Sequence, residues 1–107
     1  MGGYIQVFVT TGTKEDAQEI GKEVLEKKLA ACVQVIGPIT SDYWWKGKIE
    51  RSDEWLCLIK SKDFLYDQLE EAIKAAHPYE VAEIVAVPVQ RGSREYLAWI
   101  DEIIVSP

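Results

Sequence analysis

Residues 41–50 read SDYWWKGKIE, and this stretch indicates how the middle of the chain folds. Three aromatic residues stand in a row, and a Lys-Gly pair follows them before the sequence returns to alternating residues. Glycine tolerates the positive φ that a tight hairpin turn requires, so the pair predicts a β-hairpin that turns at residues 46–47. Because successive side chains of a strand point to opposite faces, Tyr43 and Trp45 lie on one face of this hairpin and Trp44 on the other.

The two strands of this hairpin are long. Residues 32–36 and 39–45 predict the first strand, and residues 49–60 predict the second. The Gly37-Pro38 pair interrupts the first strand, and proline cannot donate to a sheet ladder, so the pair marks a bulge or an edge. Strands of this length must project beyond the helices that cover a small sheet.

Hydrophobic periodicity and capping residues predict the elements on either side of the hairpin. A β-branched and aromatic run at 4–10 predicts a first strand, and Thr13 caps a helix over residues 14–29. A second amphipathic helix follows the hairpin and stops around Ala76, because Pro78 disfavours helical geometry at the residue before it.

The end of the chain adds a strand and a helix. Residues 83–89 predict a fourth strand, and Ser93 caps a final helix. The residues of that helix expected to face inward are Tyr96, Leu97, Ile100, Ile103 and Ile104. The order β-α-β-β-α-β plus a terminal helix predicts an α+β, ferredoxin-like fold with a four-stranded antiparallel sheet, as one domain over residues 1–107.

An aromatic hairpin on a sheet with one open face favours oligomerisation. Both crossover helices of this fold pack on the same face of the sheet, and the other face stays uncovered. One exposed large aromatic leaves about 150–250 Å² of apolar area in water, on the order of 4–6 kcal/mol of unused stabilisation. We therefore predict inter-subunit assembly through Tyr43, Trp44, Trp45 and Ile49. The alternative is that Trp44 lies flat on its own strand neighbours.

Composition excludes several partners and favours a reducing compartment. The chain of 107 residues has a formal net charge of −6 at pH 7, so neither nucleic acid nor an anionic membrane surface is an expected partner. No apolar run approaches the ~20 residues of a membrane-spanning helix, and the N-terminus lacks the features of a signal peptide. Cys32 and Cys57 lie in apolar segments and are expected to be buried thiols of a cytoplasmic protein.

Four segments spread along the chain carry a family resemblance. They are LAACV at 29–33, YWWKGKIE at 43–50, HPYEVAEI at 77–84 and YLAWI at 96–100. Together, in this order, they resemble the CutA family, the divalent-cation-tolerance proteins. The resemblance implies a cytoplasmic homotrimer whose hairpins wrap the neighbouring subunit, an architecture similar to that of the PII signalling trimers. It also implies a non-enzymatic role in the tolerance of divalent metal ions, copper in particular.

His77, the only histidine, is the best candidate for a metal ligand. Glu80 and Glu83 follow it closely, and an imidazole beside carboxylates suits a divalent ion such as Cu²⁺ or Zn²⁺. A tight site needs three or four ligands, which Cys32 or adjacent subunits could supply. We expect such modest binding not to be needed for folding. The alternative is a structural histidine that ends a helix and is hydrogen-bonded to the backbone.

The resemblance further implies a copper site, which this chain matches in part. In the family, copper binding is attributed to a cysteine at the end of the first strand and to two consecutive histidines before the proline. Those positions hold Thr10, Ala76 and His77 here, so one of the three ligands is present.

An enzyme and an effector-binding protein are the alternatives to a metal binder. Acylphosphatases share the fold and use an arginine in the loop after strand one together with an asparagine, but the loop here is TTGTKED and the chain has no asparagine. A single histidine with no motif around any serine gives little support to a hydrolytic triad. A PII-like regulatory trimer or signalling scaffold would instead bind nucleotides or anionic metabolites in inter-subunit clefts lined by Lys60, Tyr79 and Arg91.

Overall fold

The computed structural model describes residues 3–104, which form one four-stranded sheet and three helices. The elements are β1 (Tyr4–Thr11), α1 (Lys14–Glu26), β2 (Cys32–Trp45), β3 (Lys48–Lys62), α2 (Tyr66–Ala76), β4 (Ile84–Val89) and α3 (Arg94–Ile103), with a 3₁₀ turn over Asp63–Leu65. The strand order is β2-β3-β1-β4 and every pair is antiparallel, which confirms the ferredoxin-like prediction. The predicted single domain covers residues 1–107, of which 1–2 and 105–107 lie outside the described residues.

α1 begins at its predicted cap and ends earlier than predicted. The Thr13 hydroxyl accepts a hydrogen bond from a backbone N–H of the first turn. The apolar pattern predicts a helix to residue 29, but α1 ends at Glu26. Lys28 adopts a left-handed φ of 57°, and the Leu29 N–H bonds back to the carbonyl of Val24. This closing turn leaves the Leu29 side chain in the core, so the apolar pattern continues past the end of the helix.

α1 and α2 cover one face of the sheet and enclose the core. Alternate side chains of β1 and β3 fill the sheet side of the core, and one stripe of each helix fills the other side. The core side chains with no solvent exposure include Val7, Val9, Ile20, Val24, Cys57, Ile59, Leu69 and Ile73. α1 approaches β2 closely at Gly21, where a Cβ atom would lie 3.1 Å from Val33. This packed end of the molecule fixes the ends of β1 and α2, beside which the candidate site lies.

Strands β2 and β3 continue past the rest of the sheet. β1 pairs with β3 only from Trp55 to Lys62, whereas β2 and β3 stay paired as far as Trp45 and Lys48. Within the described chain, the extension therefore has no third strand beside it. We call this extension, residues 39–54, the hairpin arm.

Both irregular positions predicted for the hairpin are confirmed. The pairing register between β2 and β3 shifts between Ile36 and Ile39, at the predicted bulge. At the tip, Lys46 and Gly47 have positive φ values of 51° and 83°, which is the geometry of a type I′ turn. The bulge thus marks the boundary between the packed sheet and the hairpin arm.

The hairpin arm carries an exposed apolar patch. Trp44 is 72% exposed, and Ile49, which lies opposite it on the partner strand, is 65% exposed. Cross-strand neighbours share a face of the sheet, so the two side chains form one flat patch. This exposure contradicts the alternative in which Trp44 is covered by its own strand neighbours.

Polar contacts hold α3 against the sheet. The Asp101 carboxylate accepts hydrogen bonds from the Tyr4 hydroxyl and from the Lys62 ammonium, each at 2.6 Å. The Ser93 hydroxyl accepts from a backbone N–H of the first turn, as predicted for a cap.

Within residues 3–104, no helix combines the length and the apolar character that crossing a bilayer demands.

Tyr96 does not face inward as predicted. The residues of α3 and its C-cap that pack on the core are Leu97, Ile100, Ile103 and Ile104, as predicted. Tyr96 lies at the margin of this group and is 41% exposed, with its ring centroid 5.6 Å from that of Trp99. The apolar periodicity of the sequence therefore wrongly assigned Tyr96 to the inward face of α3.

Candidate functional site

A cleft opens between the hairpin arm and the loop that joins α2 to β4. It is lined by the end of β1, by residues 40–45 and Glu54 of the arm, and by residues 79–83 of the loop. Its volume of about 710 Å³ lies within the range of small-molecule sites, ~300–1,000 Å³. The cleft is therefore large enough for a ligand of several atoms.

His77 supports the structure beneath this cleft. α2 stops at Ala76, as predicted, because the residue before Pro78 takes an extended conformation. The buried ring donates from Nε2 to the carbonyl of Thr10 at 2.7 Å, and Nδ1 accepts the N–H of Tyr79 at 3.1 Å. Both ring nitrogens are thus engaged with the backbone, in keeping with the structural role that the sequence also allowed. A metal could reach His77 only by breaking one of these bonds.

Glu54 is a buried carboxylate at the cleft, and the sequence patterns did not single it out. The residue is 6% exposed, and its Oε2 accepts a 2.9 Å hydrogen bond from the Tyr79 hydroxyl. Burial, followed by this hydrogen bond, raises the pKa of Tyr79 to about 12, so the hydroxyl stays protonated and donates. Glu54 lies on the same face of β3 as Leu56 and Leu58, because alternate residues of a strand share a face. A charged residue in this apolar series is the feature of the sequence that could have identified Glu54.

The loop after β1 leaves space for the side chain of Tyr79. A Cβ atom at Gly12 would lie 3.0 Å from the Tyr79 hydroxyl, so glycine leaves room for that group to reach Glu54. The ring of Tyr79 also lies 4.7 Å from that of His77, measured between centroids. The end of α2, the end of β1 and the hairpin arm therefore meet at one tyrosine.

The cleft is strongly acidic. Its charged lining residues are Asp42, Glu54, Glu80 and Glu83, and within the described chain no lysine or arginine lines it. Arg51 pairs with Asp42 at 2.6 Å, and the hydrogen bond from Arg51 holds the pKa of that carboxyl below its usual value. Over residues 3–104, none of the other three carboxylates forms an ion pair. The cleft therefore attracts cations and repels anions.

The predicted metal ligands do not come together in one chain. Over residues 3–104, no three His, Cys, Asp or Glu side chains lie close enough to hold a metal ion. Glu80 and Glu83 line the cleft, but Cys32 begins β2 while the cleft is lined by the other end of that strand. The set of His77, Glu80, Glu83 and Cys32 therefore stays a prediction that would need ligands from an adjacent subunit. The copper pattern of the family does not fit either, because Thr10 is buried and the His77 nitrogens are engaged.

Of the three residues predicted to line an inter-subunit effector cleft, Tyr79 lines this cleft and the other two lie elsewhere in the single chain. Lys60 lies on β3 in the packed part of the sheet and donates to the Gln34 side chain at 3.0 Å. Arg91 lies between β4 and α3, away from the cleft lining. Cys57 is fully buried, as predicted, and burial raises the pKa of its thiol to about 11, whereas Cys32, which was also predicted to be buried, is only partly buried.

Comparison with known proteins identifies the family. Residues 5–103 match the family model described as CutA1 divalent ion tolerance protein. Protein CutA of Mus musculus is 46% identical over 98% of this chain, although the chain spans only 59% of the length of that relative.

Solved structures agree with this match. The divalent cation tolerance protein Cut A1 from Thermus thermophilus superposes with a TM-score of 0.92 at 40% identity, over 95% of this chain and 99% of that one. The periplasmic divalent cation tolerance protein CutA from Archaeoglobus fulgidus superposes with a TM-score of 0.88 at 41% identity, over 96% of this chain and 98% of that one. The chain therefore belongs to the CutA family of divalent-cation tolerance proteins.

Proposed function

We propose that this protein acts in the tolerance of divalent metal ions, Cu²⁺ among them, by binding them reversibly and without catalysis. The observation that carries the proposal is the charge of the cleft, which four carboxylates line without a lysine or arginine from residues 3–104. A concave surface of one charge sign concentrates ions of the opposite sign. The family description, which names divalent ion tolerance and no reaction, supports the same role.

We expect the acidic cleft to bind metal ions with modest affinity. Tight metal sites use three or four protein ligands in fixed geometry, and no such group forms within residues 3–104 of one chain. We assign the ion to Glu80 and Glu83, which are both exposed at the cleft, with further ligands from water or an adjacent subunit. The ion is the cargo of this function, and folding does not require it because the core is apolar.

We also propose that the protein is a homotrimer assembled through the hairpin arm. Tyr43, Trp44, Trp45 and Ile49 are all exposed large apolar residues of the arm, and this exposure supports the proposal. An apolar patch of this kind on a projecting hairpin is stabilised when a neighbouring copy covers it. Trp44 and Trp45 are the expected anchors, because aromatic residues dominate the energetics of interfaces.

We propose a cytoplasmic location. Cys32 and Cys57 are both free thiols, as is typical of proteins in a reducing compartment. The relative from Archaeoglobus fulgidus is called periplasmic, so the proposal needs a direct test. Fractionation of the native cells should recover the protein with cytosolic markers, and its release together with periplasmic markers would overturn this location.

Calorimetric titration of metal-stripped protein with Cu²⁺ and with Zn²⁺ tests the metal proposal. We expect weak, saturable binding that falls several-fold in the double variant Glu80→Gln/Glu83→Gln. The matched control is Glu19→Gln/Glu26→Gln, which removes two exposed charges from α1 and should leave binding unchanged. Absence of binding to the wild type would refute the proposal. A folded His77→Ala variant that alone abolishes binding would move the site to the histidine.

A regulatory protein that binds a small effector is the second candidate function. The volume and the aromatic walls of the cleft favour it, since a metal ion needs neither. In the proposed trimer such a cleft would lie beside the arm that contacts the neighbouring subunit, so an occupied cleft could alter assembly or the docking of a partner.

A further inference from the structure

We propose that the cleft binds a small organic cation, an amine or a quaternary ammonium ion, whose charged group pairs with Glu54 and whose apolar part lies against the aromatic wall. This inference rests on the second candidate function, effector binding, and it is independent of metal binding. It names a ligand class opposite in charge to the nucleotides and anionic metabolites expected from the sequence.

The first support is the unneutralised charge of Glu54. The residue is 6% exposed, yet its one hydrogen-bond donor within residues 3–104 is the neutral hydroxyl of Tyr79, at Oε2. No ion pair within that range includes Glu54. A buried carboxylate without a counter-ion disfavours the folded state, and a cation entering from the cleft would offset part of that penalty. Oε1 is the atom left to meet such a cation, because Oε2 is already bonded.

The second support is the aromatic wall. The wall consists of Tyr43, Trp45 and Tyr79, because the side chain of Trp44, another lining residue, lies on the opposite face of the arm with Ile49. The Lys46 ammonium already lies 5.6 Å from the centroid of a Trp45 ring, so this indole is placed to accept a cation. A carboxylate combined with several aromatic rings is the pattern by which proteins recognise ammonium groups.

The dimensions and charge of the cleft favour an organic cation as its effector. A metal ion held weakly by Glu80 and Glu83 would leave most of a volume of about 710 Å³ unoccupied. An anion would approach four carboxylates, of which only Asp42 is paired with an arginine, and would meet no basic side chain from the described chain in the cleft lining. An organic cation of several atoms satisfies charge, shape and apolar contact together.

Titration of the full chain with named probes tests the inference. Tetramethylammonium and butylammonium chloride represent the proposed class, and ATP and succinate represent anions. Each titration is followed by calorimetry and tryptophan fluorescence, with sodium chloride at the same ionic strength as the blank. We expect saturable binding of both ammonium probes, little response to sodium chloride and no binding of the anions.

Substitution locates the site. Glu54→Gln keeps an acceptor for the Tyr79 hydroxyl and removes the charge, so it should weaken ammonium binding about tenfold or more. The control Glu19→Gln makes the same change of charge on the exposed face of α1 and should have no effect. If Glu54→Gln does not fold, nuclear Overhauser contacts in the wild type between the tetramethylammonium methyl protons and the Tyr79 ring provide the same test.

The outcomes separate this inference from the function on which it rests. Binding of an anion without binding of either ammonium probe would overturn the cationic class and leave effector binding in place. Failure of all four probes would overturn the inference and remove the support for effector binding, and a neighbouring subunit that fills the cleft would produce this result. Ammonium binding that survives Glu54→Gln unchanged, or that shows no contact to Tyr79, would overturn the assigned site.

Discussion

The two halves of β3 share one strand but have opposite surroundings. In the half that pairs with β1, the side chains of Cys57, Ile59 and Ser61 are fully buried beneath the helices. In the half that belongs to the hairpin arm, Ile49 is 65% exposed and Glu54 alone is buried. The first half stabilises the fold of a single chain, whereas the second leaves apolar area exposed in that chain.

The largest expected effect lies in the packed half. Ile59→Ala removes a fully buried side chain and should lower the free energy of unfolding by about 2–5 kcal/mol, because the cavity cannot fully collapse. Denaturant unfolding followed by far-UV circular dichroism measures the change. Ile49→Ala makes the same substitution in the arm. If both variants lose the same free energy of unfolding at high dilution, the two halves of β3 do not differ in their contribution to the stability of the single chain.

Trp44→Ala should show the converse behaviour. Trp44 is 72% exposed in the single chain, so the substitution should change the unfolding of isolated subunits by no more than ~0.5 kcal/mol. Loss of a buried interface aromatic should weaken subunit association by about 2–4 kcal/mol. Sedimentation over a dilution series measures association. Leu25→Ala, which truncates an exposed apolar residue on α1, should leave association unchanged, and a comparable loss from it would argue against a special role for the arm.

The boundary between the halves is itself a sensitive position. A Cβ atom at Gly37 would overlap the indole of Trp55, so Gly37→Ala must displace that ring or the bulge. We expect a loss of about 1–3 kcal/mol in stability, the usual range for overpacking. The melting temperature measures it, with Gly3→Ala as the control because a Cβ atom there has no neighbour within 4 Å. Equal melting temperatures for Gly37→Ala and the wild type would show that the arm can shift at the bulge without strain.

The smallest expected effect concerns pH and α3. The hydrogen bond from Lys62, followed by that from Tyr4, lowers the pKa of Asp101 below its ordinary value of 3.8. Because the folded-state pKa is the lower one, this contribution is present above pH 3.8 and is lost as the pH falls through the folded value. The near-UV circular dichroism of the protein, to which Trp99 of α3 contributes, should therefore change on acidification below about pH 4. Asp101→Asn should remove this transition, and its persistence would assign the change to another group.

Local features of the chain were predictable because their causes are local. The caps at Thr13 and Ser93, the turn at Gly47 and the end of α2 before Pro78 each depend on neighbouring residues alone. The end of α1 was less predictable, because Leu29 packs into the core from beyond the helix and extends the apolar pattern.

The candidate site depended on contacts that no local pattern contains. His77 bonds the carbonyl of Thr10, 67 residues away, and this contact engages the nitrogen that a metal would need. Glu54 meets Tyr79 across 25 residues, so its burial follows from the path of the loop after α2. Residue type indicated which side chains can bind a cation, but the tertiary contacts decide which of them are free to do so.

Sedimentation equilibrium of the wild-type protein at micromolar concentration is the decisive experiment on the hairpin arm. If neighbouring copies of the chain cover the arm, we expect a single species of three times the 12.1 kDa chain mass, which shifts to smaller species in Trp44→Ala. A stable species of one chain mass, unchanged by that substitution, would contradict this expectation.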